Sequence, residues 1–300
     1  MPVRESDAAD MRSAHAYKEE ARTRKLPFDE EYDLAHFIEG PDNRLVRGVI
    51  RDCAEGRADG YARQLLIHGP PGSGKSHALF CIGRSIAQAN QDTHIVYVRA
   101  QDFVQEYVDA AWGERDVKEL FRRKYQAVDV LLVDDAHAFS GEKSQMRFIS
   151  ILEALYARKG IVAIGAEKPP HEFSKAVLPA LRSRFLAMLI LPITAHYEET
   201  AVRILMKKAE FFRMDISEEW ARAIVRKVGF DSRVLAGVLK RLKIEPELIA
   251  GEVDMARLEG VFPFEFQLTP DTRTEEPVRR RKPSHLRMVT GGASSSDLDA

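Results

Sequence analysis

The sequence predicts an α/β fold, a parallel sheet flanked by helices and followed by a small helical domain. Three observations carry that expectation. Five short apolar runs, each the length of a buried strand, recur between residues 65 and 191. Helix-length segments separate them, the strand, helix, strand rhythm that builds a sheet covered on both faces. After Pro192 the strand signal stops and only helical periodicity remains.

The runs follow in order. Leu65 to His68 leads into a glycine-rich turn, and Ser76 to Ala89 reads as the helix after it. Ile95 to Val98 is β-branched and aromatic, as strands prefer. Val130 to Val133 ends on Asp134-Asp135, and a helical pattern covers Gln145 to Ala157. Ile161 to Ile164 ends on Gly165, and Met188 to Leu191 ends on Pro192. Residues 196–213, 217–229 and 231–243 read as amphipathic helices, with a candidate fourth at 252–260. The expected organisation is a flexible N-terminal arm at 1–26, an α/β domain at 27–194, a helical domain at 195–262 and a disordered tail at 263–300. The tail carries Pro270, Pro277, Pro283 and the basic run Arg279 to Lys282.

Composition removes several function classes. The 300 residues hold 45 Lys and Arg against 46 Asp and Glu, a formal net charge of -1. Any surface for nucleic acid or anionic lipid must therefore be local. Two cysteines, Cys53 and Cys81, exclude a Cys-rich zinc site and argue against a disulfide scaffold. The nine histidines show no metal-ligand spacing. No apolar signal core opens the chain and no run is long enough to span a bilayer, so the expected location is the cytoplasm.

Two motifs carry chemistry. Gly69-Pro70-Pro71-Gly72-Ser73-Gly74-Lys75-Ser76 fits the P-loop pattern G-x-x-x-x-G-K-[ST]. Glycines let backbone N–H groups converge on phosphate oxygens, and the helix that begins there adds its positive end. Lys75 would reach the β- and γ-phosphates and the Ser76 hydroxyl would ligate Mg²⁺. The expected cofactors are thus ATP and Mg²⁺, with His77 counted in the same nucleotide-binding stretch. Asp134-Asp135 closes a buried run in the form of a Walker B element. Asp134 is the candidate metal ligand and Asp135 the candidate for orienting or deprotonating the attacking water.

With these residues the chain resembles the AAA+ ATPases, and among them the ATPase domain of the bacterial DnaA replication initiators. The resemblance covers about residues 27–262. Phe37 to Arg44 looks like the initiators' box near the adenine, which brings Ile38 and Asn43 into the candidate nucleotide site. Tyr125 to Asp135 looks like their Walker B stretch, and Lys168-Pro169-Pro170 like the turn after sensor 1. Leu181 to Phe185 resembles their arginine-finger box, and Asp231 to Leu239 their sensor 2 helix. The resemblance implies that Arg184 reaches toward the ATP of a neighbouring subunit, and that Arg233 on a helical lid contacts the phosphates of its own. Glu167 falls near the sensor 1 position, where the family usually carries aspartate. Ala180 replaces a finger-box arginine that the initiators often carry. Asp135 stands where most AAA+ motors place glutamate, which implies slow hydrolysis and an ATP state that persists as a signal.

The resemblance also implies a contact with single-stranded DNA through the segment between the second strand and Walker B. Val108 aligns with an apolar contact position and Lys143 falls near a basic one. An ordinary amphipathic helix with a solvated basic face fits the same residues, because six carboxylates between Asp102 and Glu119 dilute the charge. No recognition helix for duplex DNA is visible in residues 263–300. Four functions stay open. The chain acts in replication initiation, assembling with itself or with a full-length initiator. It regulates the initiator's ATP hydrolysis. It loads a helicase or transposase. Or it is a nucleotide-binding adaptor.

Overall fold

The computed structural model describes residues 32–57, 60–194 and 196–249, together with 254 and 256. The expected arm and tail, and all but two residues of the candidate helix at 252–260, lie outside the described residues. The strands are β1 (Gln64–His68), β2 (Ile95–Arg99), β3 (Val130–Asp134), β4 (Ile161–Ala166) and β5 (Leu189–Pro192). They form one parallel sheet in the order β2-β3-β4-β1-β5. Every strand start and end falls within a residue or two of the apolar runs that predict it.

Alternation along the strands explains why the sheet is covered twice. Leu131 and Val133 of β3 join the core on one face, and Val130 and Leu132 join the core on the other. The second face carries α1 (Arg44–Ala54) and α2 (Lys75–Ala89). Helix α1 buries Val46, Val49, Ile50 and Cys53, a stripe at spacings of three, one and three that faces the sheet. The first face carries α3 (Ala100–Trp112), α4 (Arg115–Gln126), α5 (Glu142–Ala157) and α6 (Pro179–Leu186). Phe103, Phe121, Tyr125, Phe139 and Phe148 stack there edge to face or tilted.

The segment between β2 and β3 forms two helices, α3 and α4, packed against each other. Gly113 makes the fold-back: a Cβ there would sit 2.4 Å from the Asp109 carbonyl oxygen. Beyond the sheet, α7 (Glu198–Phe211), α8 (Glu218–Val228) and α9 (Ser232–Leu242) pack around a separate core that includes Leu205, Trp220, Ile224 and Leu239. Each boundary has a local cause. Ser217 Oγ accepts from Trp220 N to cap α8, Gly229 at φ 85° ends it, and Asp231 Oδ1 accepts from Arg233 N to cap α9. No described helix is long and apolar enough to cross a membrane.

Candidate nucleotide site

The glycine-rich turn leaves β1 at His68 and enters α2 at Lys75. Gly72 and Gly74 have φ of 73° and 96°, the left-handed region that glycine alone enters without strain. Close approach matters as well, since a Cβ on Gly72 would lie 2.2 Å from the Asp231 carboxylate. Lys75 is buried, and its Nζ donates to the carbonyls of Gly69 and Pro70, each at 2.8 Å. Burial pulls its pKa below the ordinary lysine value, while Asp134, Glu167 and Asp135 pull the other way. Ser73 Oγ is buried in the turn with no hydrogen-bond partner among the described residues. A cradle of left-handed glycines with an orphaned hydroxyl and a buried ammonium has the donors that a polyphosphate accepts.

Next to the cradle, β3 delivers its two carboxylates. Ser76 Oγ donates to Asp134 Oδ2 at 2.5 Å, and Tyr97 Oη donates to the same oxygen at 3.3 Å. Burial and the nearby Asp134 raise the Tyr97 pKa, so the phenol keeps its proton and stays a donor. Asp134 Oδ1 accepts from the Asp135 N–H at 2.9 Å. Asp135 itself has φ 54°, a left-handed geometry that aspartate tolerates better than most residues. Burial, then the charge of Asp134, raises the Asp135 pKa. Glu167 follows β4, where its N–H donates to His137 Nδ1 at 3.2 Å and its carboxylate lies 3.5 Å from His137 Nε2.

These groups share one cavity of about 510 Å³, the size range of small-molecule sites. Asp135, Glu167 and the turn line it together with Ile38, Asn43 and His77. Asn43 builds its own wall: its Oδ1 accepts from Gly40 N at 2.9 Å and its Nδ2 donates to the Ile38 carbonyl at 2.8 Å. Lysines 207, 208 and 240, with Arg233, reach the cavity from α7 and α9. Arg233 forms an ion pair with Asp231 at 3.1 Å, which raises its pKa, and Asp135 and Glu167 add to that field.

Other expected residues lie elsewhere. Arg184 is not among the cavity residues. Its Nη1 donates to the Ala180 carbonyl at 3.0 Å, and its Nη2 is ion-paired with Glu153 of α5. Val108 is 41% exposed on α3, and Lys143 is exposed in the first turn of α5.

Sequence reasoning missed Tyr97, His137, the cavity lysines of α7 and α9 and a buried cluster around Asp42. In that cluster Asp42 Oδ2 meets His196 Nδ1 at 2.7 Å, and Thr200 Oγ1 donates to Asp42 Oδ1 at 3.2 Å. The only sequence signal was Gly40, where a Cβ would collide with the Thr200 hydroxyl at 2.3 Å.

Comparison with known proteins bears on the family and the fold. The Bacterial DnaA ATPase domain family matches residues 28–191, just over half of the chain. A chromosomal replication initiator protein DnaA of Deinococcus deserti is 34% identical over 213 residues, covering 71% of this chain and 46% of its own length. The chain thus spans about half the length of that relative. Domain III of the Thermotoga maritima replication initiation protein DnaA superposes with a TM-score of 0.72 at 26% identity, over 81% of this chain and all of that one. A replication initiator DnaA solved with AMPPCP and single-stranded DNA superposes at 0.65 and 26% identity, over 74% and 68%. The chain belongs to the bacterial DnaA ATPase domain family, and its described fold is that of an AAA+ ATPase.

Proposed function

We propose that the chain is an ATP/ADP assembly switch that acts in the initiation of DNA replication or in its regulation. One observation carries the reading. The P-loop, Asp135, Glu167 and Arg233 converge on one cavity, whereas Arg184 sits outside it on α6. A guanidinium outside the cavity serves a nucleotide only if a second copy, or a longer initiator, brings it there. In this reading Gly69 to Ser76 hold the phosphates, and Lys75 leaves the Gly69 and Pro70 carbonyls for the β- and γ-phosphates. Ser76 and Asp134 would hold Mg²⁺. They are hard oxygen donors already in contact, which fits that ion, and bound Mg²⁺ would neutralise charge on the phosphates.

Asp135 positions water, and Glu167, held by His137, assists. Arg233 exchanges Asp231 for the γ-phosphate, and the bundle α7–α9 thereby acts as a lid. The short carboxylate of Asp135 makes hydrolysis slow, so the bound ATP marks an assembled state. Replicative helicase is a further partner of this reading.

Molar mass by light scattering with ATP, with ADP and without nucleotide tests the switch. ATP should drive assembly and ADP should not. Identical mass in all three conditions would overturn it.

A second reading, single-strand binding at α3–α4, is favoured by an exposed apolar stripe. Val108 and Trp112, the latter 88% exposed, lie one helical turn apart on α3, with Val117 and Leu120 exposed on α4. Bases stack on such surfaces without sequence preference. The phosphate contribution should be small, because Glu119 pairs with Arg122 and Arg123, and Glu106 with Lys124. Binding of a labelled oligonucleotide should weaken several-fold in Trp112→Ala and depend weakly on salt; no loss in that variant rejects the stripe.

A further inference from the structure

We propose that Gln145 is a positioning residue for the arginine that serves a neighbouring nucleotide: it fixes the base of α6, and with it the point from which Arg184 reaches. The inference rests on the inter-subunit reading of Arg184 and names the side chain that aims it.

Gln145 lies buried in the first turn of α5. A buried amide is costly unless both of its ends are bonded. Here one stretch of backbone bonds both. The Gln145 Nε2 donates to the Ala176 carbonyl at 2.8 Å, and the Oε1 accepts from the Leu178 N–H at 2.8 Å. Leu178 is the residue before α6, and Pro179 is its first. One side chain therefore holds the last backbone groups before the helix that carries Arg184.

That stretch is bound to α6, because Arg182 Nη2 donates back to the carbonyls of Phe173 at 3.0 Å and Ser174 at 2.9 Å. Leu181 and Phe185 bury the inner side of α6 in the sheet core. Apolar burial is non-directional, whereas hydrogen bonds fix orientation. Gln145 also has a firm origin. Its N–H donates to the Gly141 carbonyl at 3.2 Å and Ser144 Oγ donates to the Ser140 carbonyl at 2.7 Å, so the clasp is carried by the segment that leaves β3 at Asp134. The second tie between α5 and α6, from Arg184 to Glu153, lies at the surface and is weak, and it must break before Arg184 can reach a neighbour. The buried clasp then keeps the base of α6 in place. Placement matters, because an error of about 1 Å at a reacting centre can cost on the order of a hundredfold in rate.

The test separates the protein that offers the arginine from the one that hydrolyses. Arg184→Ala serves as acceptor, with its own nucleotide site and no finger arginine. Asp135→Asn serves as donor, with Arg184 and no hydrolysis of its own. Phosphate release by a fixed amount of acceptor is measured against rising donor in saturating ATP. Gln145→Met in the donor keeps the side-chain volume and removes both bonds, and it should lower the plateau rate at least about tenfold. The same change in the acceptor should leave the plateau within about twofold, because that protein's own site does not use its own α6. A merely structural role would reduce the amount of folded donor, so more donor would be needed and the plateau would stand. Gln145→Glu keeps an oxygen for the Leu178 N–H and sets another against the Ala176 carbonyl. It should show the same donor-only loss, and it carries the test if the methionine variant fails to fold. An unchanged plateau with either folded donor variant, or an equal loss from the change in the acceptor, overturns the role of Gln145 and leaves that of Arg184 standing. No stimulation by the donor with Gln145 intact overturns the inter-subunit reading, and this proposal with it.

Discussion

Lys75 and His77 sit two positions apart in α2, and burial lowers the pKa of both. The Lys75 ammonium donates to two carbonyls. His77 gives its charge up, with a pKa near 4. That shift has a stability consequence. Below pH 6.5 the unfolded chain protonates His77 while the folded chain does not, so the unfolded state binds more protons. The stabilisation is complete above pH 6.5 and is lost as pH falls from 6.5 to about 4. The full loss is of order 3 kcal/mol. Urea denaturation between pH 4 and 7 should show this slope, and His77→Gln should remove that part of it. Asp135 shows the same physics at a carboxylate: burial and Asp134 raise its pKa, which suits the role proposed for it at the attacking water.

Among the elements, the turn at residues 38–43 is tied to helix α7 and the residues just before it by the buried side chains of Asp42, His196 and Thr200 and by the exposed Arg203. Asp42 holds His196 and Thr200, and Arg203 donates to the Glu39 carbonyl at 2.9 Å. Asp42→Ala leaves two buried partners unsatisfied and should cost about 2–4 kcal/mol in equilibrium unfolding. Adding His196→Ala should cost less than the sum of the two single changes, since both break one contact.

Helices α5 and α6 are joined by the exposed pair of Glu153 and Arg184. Such a pair is weak, and its rupture is an easy step on assembly. Glu153→Gln should lower the protein concentration needed for ATP-driven assembly by a few-fold. Arg184→Ala should leave ATP affinity unchanged and remove hydrolysis stimulated by assembly. Titration of molar mass and of phosphate release reads both, and unchanged assembly in Glu153→Gln together with undiminished stimulated hydrolysis in Arg184→Ala would reject the inter-subunit role.

For the whole molecule, the cavity joins the sheet to the helical bundle. Ser232 N donates to the Gly72 carbonyl at 3.4 Å, so α9 touches the phosphate turn directly. ATP at a hundred times its Kd should add about 2.7 kcal/mol to the folded state. For a unit of this size that raises the melting temperature by roughly 5–10 °C. Arg233→Ala should reduce the shift for ATP and spare the shift for ADP, and equal loss for both nucleotides would place Arg233 away from the γ-phosphate.

The parts legible in the sequence were those that physics confines to neighbouring residues. A phosphate turn needs glycines, lysine and serine in one contiguous run, and a buried strand needs its apolar residues together. Hence the P-loop, Asp134-Asp135 and all five strands were readable from Leu65 to Pro192. The turn between α3 and α4 was not legible, because Gly113 acts through close approach to Asp109, which no periodicity records. The sequence by itself determined the sheet, the phosphate cradle and the family. Only the tertiary structure decided that Asp42 meets His196 across 154 positions, that Tyr97 and Ser76 share an Asp134 oxygen, and that the His77 Nε2 has no partner among the described residues. Those contacts join separate elements, and the order of strands in a sheet, not spacing along the chain, sets which side chains meet.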